Sequence, residues 1–348
     1  MGERTTRGFW CGNGLEFNSD DRPEKGITMV MKGLFGALSP GGPRARLPIF
    51  VFHRVLAQQD PLFPGEPDAR HFDEIMGWVA KWFQVLPLDT AVMQLRAGTL
   101  PARAAAITFD DGYADNATNA LPILRRHGLH ATFFVATSFL DGGRMWNDTL
   151  IETIRACEVD ALDLSGAGFG HFKLTSAVDR RLAIESLLGR VKHLQPDQRS
   201  EAVTQVQRAV PIALPDDLMM TSGQVIQLRD AGMQIGAHTC NHPILANLTD
   251  SEAMAEIADS KMALESLLNE PVSLFAYPNG KPGTDYCGKH AEMVRQAGFA
   301  AAVSTASGVS SAATDVFQLP RFTPWDRTRL RYGIRLMLNL RAAAPQVA

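Results

Sequence analysis

The chain has 348 residues, with 34 basic and 37 acidic side chains, and 45% of the residues are hydrophobic. This hydrophobic share excludes a disordered protein, and the length allows one large domain or two ordinary ones. A net charge of −3 gives no reason to expect a nucleic-acid partner, because binding to phosphate chains normally shows as a surplus of basic residues. No apolar segment is long enough to predict a transmembrane span.

Residues 1–46 are predicted to be a flexible leader. The segment is rich in Gly, Arg, Asp and Glu, and it ends in the turn-forming run Ser-Pro-Gly-Gly-Pro at 39–43. Its apolar part is short for a signal peptide, although secretion is not excluded. The four cysteines lie far apart without motif spacing, which favours a reduced, cytoplasmic protein.

Short apolar runs alternate with helical patterns from residue 47 onward. The runs that predict buried strands are 47–55, 104–109, 131–136, 233–237, 272–276 and 300–303. The helical patterns cover 72–83, 116–127 and about 250–269. Strand and helix in alternation predict parallel βα units, and therefore an open α/β sheet or a barrel.

Two segments depart from this alternation. Residues 141–221 contain helical patterns and a Gly-rich loop at 165–170, and we predict an insertion without strands of its own on one βα loop, of a length that usually carries function. Residues 327–348 predict a basic amphipathic tail. Its apolar residues are Leu330, Ile334, Met337 and Leu338. Packing of this tail on the barrel is the favoured interpretation, and docking to a membrane surface is the alternative.

Polar residues follow four of the predicted strands directly. They are His53-Arg54, Asp110-Asp111-Gly112, the run 238–243 and the run 277–280. In parallel α/β proteins the catalytic groups collect at the carboxyl ends of the strands. We therefore expect these four segments to converge on one pocket.

Asp110 and Asp111 would bring two carboxylates into that pocket, which requires a cation or a proton nearby. A divalent metal would meet this need, with one carboxylate as ligand and the other as base; a simple turn or helix N-cap is the alternative for Asp-Asp-Gly. His238 and His242 have a spacing that can present two imidazole nitrogens to zinc. Together with Asp111 they make a ligand set that leaves positions open for water and substrate.

Three runs resemble, in order, the first three motifs of the polysaccharide deacetylases, the NodB-homology group or carbohydrate esterase family four. They are 108–112, 238–243 and 275–280, and the resemblance covers about 47–325. It implies an α/β fold, a distorted (β/α) barrel with a mainly helical insertion between the first and second motifs. It also implies metal-dependent hydrolysis of N-acetyl groups on an amino-sugar polysaccharide or oligosaccharide, with exopolysaccharide biosynthesis as a plausible setting.

The resemblance also implies a role for each motif residue. Asp111, His238 and His242 would hold the metal, usually zinc, and Asp110 would be the general base. Tyr277 would bind the oxyanion through its backbone N–H. These roles agree with the chemistry of amide hydrolysis, which needs an activated water, a base and a stabilised oxyanion.

The chain departs from the family pattern at two places. The third motif often brings an Arg that orients the base, and Phe275 and Ala276 supply none. The fifth motif usually supplies a general-acid His, whereas residues 319–322 offer Arg321, which could orient Asp110, bind the sugar chain or form a surface salt bridge. His53 is our candidate for the acid, with a capping or core histidine as the alternative.

The remaining predictions concern the substrate. Four residues are candidates for binding it: Arg321, Trp146, Asn279 and Asp148. Trp146 has the aromatic ring that suits sugar stacking. Rival interpretations are a small-molecule amide hydrolase on the same scaffold, which a short closed pocket would favour, and a non-catalytic carbohydrate-binding member. We expect a cytoplasmic protein, with peripheral membrane attachment left open, and predict no oligomeric state.

Overall fold

The computed structural model describes residues 22–210, 212–342 and 347–348. The strands in this part of the chain are β1 (Ile49–Phe52), β2 (Gln84–Val85), β3 (Ala104–Phe109), β4 (Thr132–Val135), β5 (Ala161–Leu164), β6 (Gly170–Lys173), β7 (Gln234–Ala237), β8 (Leu274–Ala276) and β9 (Ala301–Val303). The α-helices are α1 (Arg22–Leu38), α2 (Ala69–Trp82), α3 (Leu88–Ala97), α4 (Leu121–Arg126), α5 (Trp146–Ala156), α6 (Ala177–Val191), α7 (Pro196–Ala209), α8 (Ser222–Asp230), α9 (Asp250–Leu268), α10 (Gly288–Gln296) and α11 (Arg329–Leu340).

The main sheet is parallel and curls into a distorted barrel surrounded by helices. Its strand order is β1-β3-β4-β7-β8-β9, with β2 beside β3. The gap between β9 and β1 is closed by the segment 310–323: Leu47 bridges Ser310, and Phe322 N–H donates to Ile49 O at 2.9 Å. The predicted fold class is confirmed, and the predicted strands are present in shorter form.

Alternation along β3 decides which residues enter the barrel. Ala105, Ile107 and Phe109 face the surrounding helices and join the larger hydrophobic core. Ala104 and Ala106 face the other way and pack with residues of the neighbouring strands in a second, smaller cluster. Because side chains alternate with a period of two residues, Asp110 continues this inward set just beyond the strand end.

The predicted leader is in part a structural element. Helix α1 buries Met31 and Phe35 in the main core, with 3% and 0% of their surface exposed. The terminal methyl group of Met31 lies only 1.9 Å from where a Cβ would stand at Gly333 of α11, so the two helices pack closely there. The prediction of a flexible leader is therefore wrong for residues 22–46. Its first 21 residues lie outside the described part of the chain.

The insertion lies between β4 and β7, as predicted, and carries a small core of its own. Leu150, Ile154, Leu187 and Val206 are completely buried in that core. The prediction that the insertion has no strands is wrong, because β5 and β6 form an antiparallel hairpin. Alternating exposed and buried residues along β5 are the signal for it.

The C-terminal tail packs on the barrel through one face of its helix. Helix α11 buries Tyr332 and Leu336, whereas Leu330, Ile334 and Leu338 are 58%, 43% and 62% exposed. Among the described helices, none has the length and apolar character needed to cross a membrane.

Candidate active site

Residues from all four predicted strand-end segments line one cavity of about 270 Å³. His53 follows β1, Asp110 and Asp111 follow β3, and residues 238–242 follow β7. Asn279 reaches the same cavity from the loop after β8. The convergence expected from the carboxyl ends of parallel strands is thus observed.

Asp111, His238 and His242 form a compact three-ligand cluster. Asp111 Oδ1 lies 3.3 Å from Nε2 of each histidine, and the ligand atoms of all three lie within 4.8 Å of one another. His238 Nδ1 is 2.8 Å from Ala276 O, so its other nitrogen is directed into the cluster. Asp111 and His242 have φ angles of +76° and +51°. These uncommon backbone conformations turn both side chains toward one point.

The charges in this cluster match the needs of a divalent cation. Although burial alone raises the pKa of the Asp111 carboxyl, its hydrogen bond with His238 and the influence of His242 hold that pKa well below the usual range. Burial lowers the pKa of His242 to about 4, despite the opposing effect of Asp111. A carboxylate and imidazole nitrogens facing an open cavity are the donor set of a catalytic zinc site, and these residues fit such a metal.

Asp110 is held by Arg321 in a buried, bidentate ion pair. Arg321 donates from two nitrogens to the two Asp110 carboxylate oxygens at 2.6 Å each, and both residues are 2% exposed. The same guanidinium donates to Thr108 Oγ1 at 3.1 Å and to Ser304 O at 3.0 Å. Burial raises the pKa of the Asp110 carboxyl, but Arg321 outweighs it and lowers that pKa. Asp110 is therefore an oriented, ionised carboxylate beside the cluster.

This geometry decides between the alternatives for Arg321. A buried guanidinium with all of its nitrogens bonded to protein atoms does not bind a sugar, so the prediction of a substrate-binding role is wrong. A surface salt bridge is excluded as well. The Arg that the third motif lacks is replaced by one from the segment that closes the barrel, and it orients the same carboxylate.

Tyr277 does not supply an oxyanion donor. Its backbone N–H donates to Val303 O at 3.2 Å, and its hydroxyl donates to Phe317 O at 2.8 Å. Its side chain is 1% exposed, so the predicted catalytic role is wrong. Two residues later, Asn279 has a φ of +58° and lines the cavity. Its N–H makes no hydrogen bond to any described residue.

His53 is exposed and lies at the junction of two cavities. It lines the catalytic cavity and also a neighbouring one of about 200 Å³, which includes Glu66 and Trp325. Burial raises the pKa of the Glu66 carboxyl, while His53 lowers it. The alternative of a buried core histidine is excluded by this exposure. Glu66 was missed in the sequence because its proline-flanked loop carries no recognisable motif.

The other substrate candidates divide into two groups. Trp146 and Asn279 line the catalytic cavity. Asp148 does not: it is 3% exposed and accepts a hydrogen bond from Tyr113 Oη at 3.0 Å, and burial raises its pKa to about 7. The prediction that Asp148 binds substrate is therefore wrong. Lys192, from the end of α6, lines the cavity without having been predicted.

Comparison with known proteins assigns the family. The sequence model of the polysaccharide deacetylase family matches residues 97–182 and 195–302, more than half of the chain. The chain belongs to the polysaccharide deacetylase family. This deacetylase is also similar to YxkH of Bacillus subtilis, whose name places it among the polysaccharide deacetylases: 22% of 279 residues are identical, over 80% of this chain and 71% of YxkH.

Solved structures share the fold of this deacetylase. The Streptococcus pyogenes deacetylase PplD, solved with acetate, superposes with a TM-score of 0.56 at 18% identity, over 85% of this chain and 98% of PplD. IcaB from Ammonifex degensii gives 0.53 at 17% identity, over 87% and 99% of the two chains. The distorted barrel is thus the fold of these deacetylases, and family membership makes the chain a hydrolase.

Proposed function

We propose that this deacetylase uses a divalent metal, zinc in the simplest case, to remove N-acetyl groups from an amino-sugar polysaccharide or oligosaccharide. The observation that carries the proposal is the three-ligand cluster beside an ionised Asp110 on the wall of one cavity. Asp111, in contact with His238 and His242, is then the ligand, and Asp110, paired with Arg321, is the base. Such a division of roles between two adjacent carboxylates suits metal-assisted amide hydrolysis.

Asp111, His238 and His242 would hold the metal. When bound, it supplies a Lewis acid that polarises the acetamide carbonyl and makes water more acidic. Asp110 is oriented by Arg321 to accept the proton of the attacking water. The unpaired N–H of Asn279, instead of that of Tyr277, donates a hydrogen bond to the carbonyl oxygen as negative charge develops on it.

We assign the protonation of the departing amine to His53. It lines the cavity that contains the metal-binding cluster and is exposed, which supports this role. Burial raises the pKa values of the Asp110 and Asp111 carboxyls, and His53 is one of the neighbouring groups that lower them, which supports a base and an acid that lie close to each other. A base and an acid in one cavity complete the requirements of amide hydrolysis.

The shape of the site favours a glycan over a small amide. The catalytic cavity and its neighbour meet at His53 and have one tryptophan each, Trp146 and Trp325. Trp325 is 69% exposed. Two adjoining cavities with aromatic walls suit successive sugar residues. An N-acetylated exopolysaccharide is the proposed biological substrate, on the basis of the family resemblance.

Acetate release tests the proposal directly. Purified protein is incubated with N-acetylglucosamine oligomers of one to six residues, with zinc or with a chelator. We expect zinc-dependent acetate release that increases with oligomer length. Absence of acetate from every acetylated glycan, with metal bound at one equivalent, would exclude the proposed function.

A matched pair of variants tests the roles. Asp110→Asn should retain the metal and lose turnover, whereas Asp111→Asn should lose both. Cleavage of acetanilide-type small amides at a higher rate than any oligomer would favour the small-molecule amide hydrolase instead.

A further inference from the structure

The insertion brings an unpaired cation to the catalytic cavity. Lys192 follows the last residue of α6 and lines the cavity together with Leu188 of the same helix. It forms no ion pair with any residue that the structure describes. An exposed lysine keeps its hydration shell and has no desolvation penalty, but the side chain of Lys192 is partly buried at the cavity in which we propose that the substrate binds.

A second cation from the insertion contacts a residue that lines this cavity. Arg199 of α7 is 8% exposed, and its guanidinium lies 5.2 Å from the centre of the Trp146 ring. Burial lowers its pKa. Glu256 is the acid that acts on it, but that carboxylate accepts hydrogen bonds from the backbone and side chain of Asn241. A poorly compensated buried cation is unfavourable unless an anion approaches from outside.

The acidic residues of the cavity do not neutralise these cations. Asp110 is paired with Arg321. Asp111 is surrounded by His238 and His242, and a divalent cation would make this cluster positive. The cavity of the metal-loaded protein would therefore have a surplus of positive charge on the side where the insertion covers it.

We propose that the natural substrate is an acidic N-acetylated glycan, and that Lys192 binds a carboxylate or phosphate group on the sugar next to the acetamide that is hydrolysed. Arg199 contributes long-range attraction from its position next to Trp146. This inference rests on the proposed deacetylase function and specifies its substrate class. The reaction itself is unchanged, since the anionic group takes no part in bond breaking.

The test compares three probes with one acetamide chemistry: neutral N-acetylglucosamine oligomers, hyaluronan oligosaccharides with alternating glucuronate, and N-acetylglucosamine oligomers linked by phosphodiesters. The wild-type zinc protein should show a kcat/KM on one of the acidic probes about tenfold above that on the neutral one, which is within the range of one charge-assisted hydrogen bond. The preferred acidic probe then distinguishes carboxylate from phosphate. High salt should reduce the preference.

Variants assign the preference to its residue. Lys192→Gln should raise KM about tenfold for the acidic probe and leave the neutral probe unchanged, whereas Lys192→Arg should retain the preference. Lys173→Gln is the control, because Lys173 is an exposed lysine of the insertion outside the cavity. Equal kcat/KM on all probes, or equal effects of Lys192→Gln on neutral and acidic probes, would overturn the inference. Loss of acetate release from all probes would instead refute the proposed function.

A separate surface supports a second inference. Helices α1 and α11, which pack against each other at Met31 and Gly333, both expose apolar side chains. These are Met29 (77% exposed), Val30 (62%), Leu34 (44%), Leu330 (58%), Ile334 (43%) and Leu338 (62%). Lys32, Arg331 and Arg341 are exposed on the same two helices or at the end of α11. None of these three cations forms an ion pair with a described residue.

We infer that this surface, formed by the exposed residues of α1 and α11, docks on an anionic lipid bilayer. Apolar side chains would enter the headgroup region, and the unpaired cations would attract acidic lipids. The charge of the surface favours a bilayer over a second copy of the chain, because two such cationic surfaces would repel each other. Deacetylation would then proceed at a membrane surface.

Vesicle sedimentation tests this docking. The protein should sediment with vesicles of phosphatidylcholine and 30% phosphatidylglycerol and not with phosphatidylcholine alone. Leu330→Ser with Ile334→Ser should reduce the bound fraction about fivefold with acetate release unchanged. Met262→Ser with Val178→Ser, two exposed apolar residues elsewhere, should have no effect. Equal binding by both double variants, or a dimer in light scattering that the first double variant abolishes, would overturn the inference.

Discussion

Replacing Arg321 by Met is expected to destabilise the protein strongly and to disable Asp110. Arg321 supplies both hydrogen bonds to the Asp110 carboxylate, at 2.6 Å each, and the pair is buried. Removal of one partner leaves a buried carboxylate without its counterion. The loss also leaves Thr108 Oγ1 and Ser304 O without the donors that they now have.

The expected loss is about 3–5 kcal/mol in the free energy of unfolding, the range for breaking a buried ion pair from one side. Because an ordinary domain has a free energy of unfolding of about 5–15 kcal/mol, a measurable fraction of the variant molecules would still be folded. Arg321→Lys keeps the charge but loses the planar bidentate geometry, so we expect a smaller loss of about 1–2 kcal/mol. Turnover should fall in both variants because Asp110 loses its orientation.

Urea unfolding of the metal-free protein measures these losses. A double-mutant cycle with Asp110→Asn isolates the pair, and we expect a coupling energy of about 2 kcal/mol or more. The pH dependence gives an independent readout. Since Arg321 lowers the pKa of Asp110 below its usual 3.8, the folded state binds fewer protons, and this stabilisation is present above pH 3.8 and is lost on acidification.

Two results would refute this reasoning. One is an Arg321→Met variant within about 1 kcal/mol of the wild type at pH 7, which would mean that the pair contributes no more than a surface salt bridge. The other is additivity of the two substitutions in the cycle. Full turnover by Arg321→Met would refute the positioning role alone.

Further predictions concern stability and metal. Burial raises the pKa of Asp148 from 3.8 to about 7, so the folded state binds more protons than the unfolded state between these pH values and loses stability as the pH rises. In thermal unfolding, Asp148→Asn should therefore be more stable than the wild type by about 1–3 kcal/mol at pH 8 but not at pH 4. His238→Ala should lose the metal by elemental analysis, whereas His53→Ala should keep it with kcat about 100-fold lower; full turnover there would contradict our acid assignment. At Gly333 an added Cβ would meet the terminal methyl group of Met31, which can turn away, and alanine is favoured over glycine within a helix by about 1 kcal/mol. Gly333→Ala should therefore change the free energy of unfolding by less than about 1 kcal/mol, and a loss above about 2 kcal/mol in urea unfolding would contradict this.

The metal cluster and the base could be predicted because their signals are local. The pairs Asp110-Asp111 and His238–His242 begin directly after apolar runs that form strands, and the carboxyl ends of parallel strands meet at one edge. His53 reaches the same cavity for this reason. The family resemblance of the three motifs added the roles of Asp110 and the metal ligands.

The predictions that the structure contradicts share one cause: each depends on contacts between segments that are far apart in the sequence. The choice of Tyr277 over Asn279 as amide donor failed because the N–H of Tyr277 is used by the neighbouring strand β9. Helix α1 is not recognisable as a structural element from the sequence, because its buried residues, Met31 and Phe35, have their partners far along the chain in α2 and α11. On α11 the apolar residues divide between two faces, and packing alone decides which face is buried.

The sequence by itself determined the strand-end motifs, their order and the parallel fold that brings them together, because alternation and turn residues act over a few positions. Only the tertiary structure decided what surrounds those motifs. The segment that closes the barrel brings Arg321 to Asp110, and the insertion brings Lys192 to the cavity. Both placements depend on the curvature of the sheet and the path of long connections, which no short pattern of residues encodes.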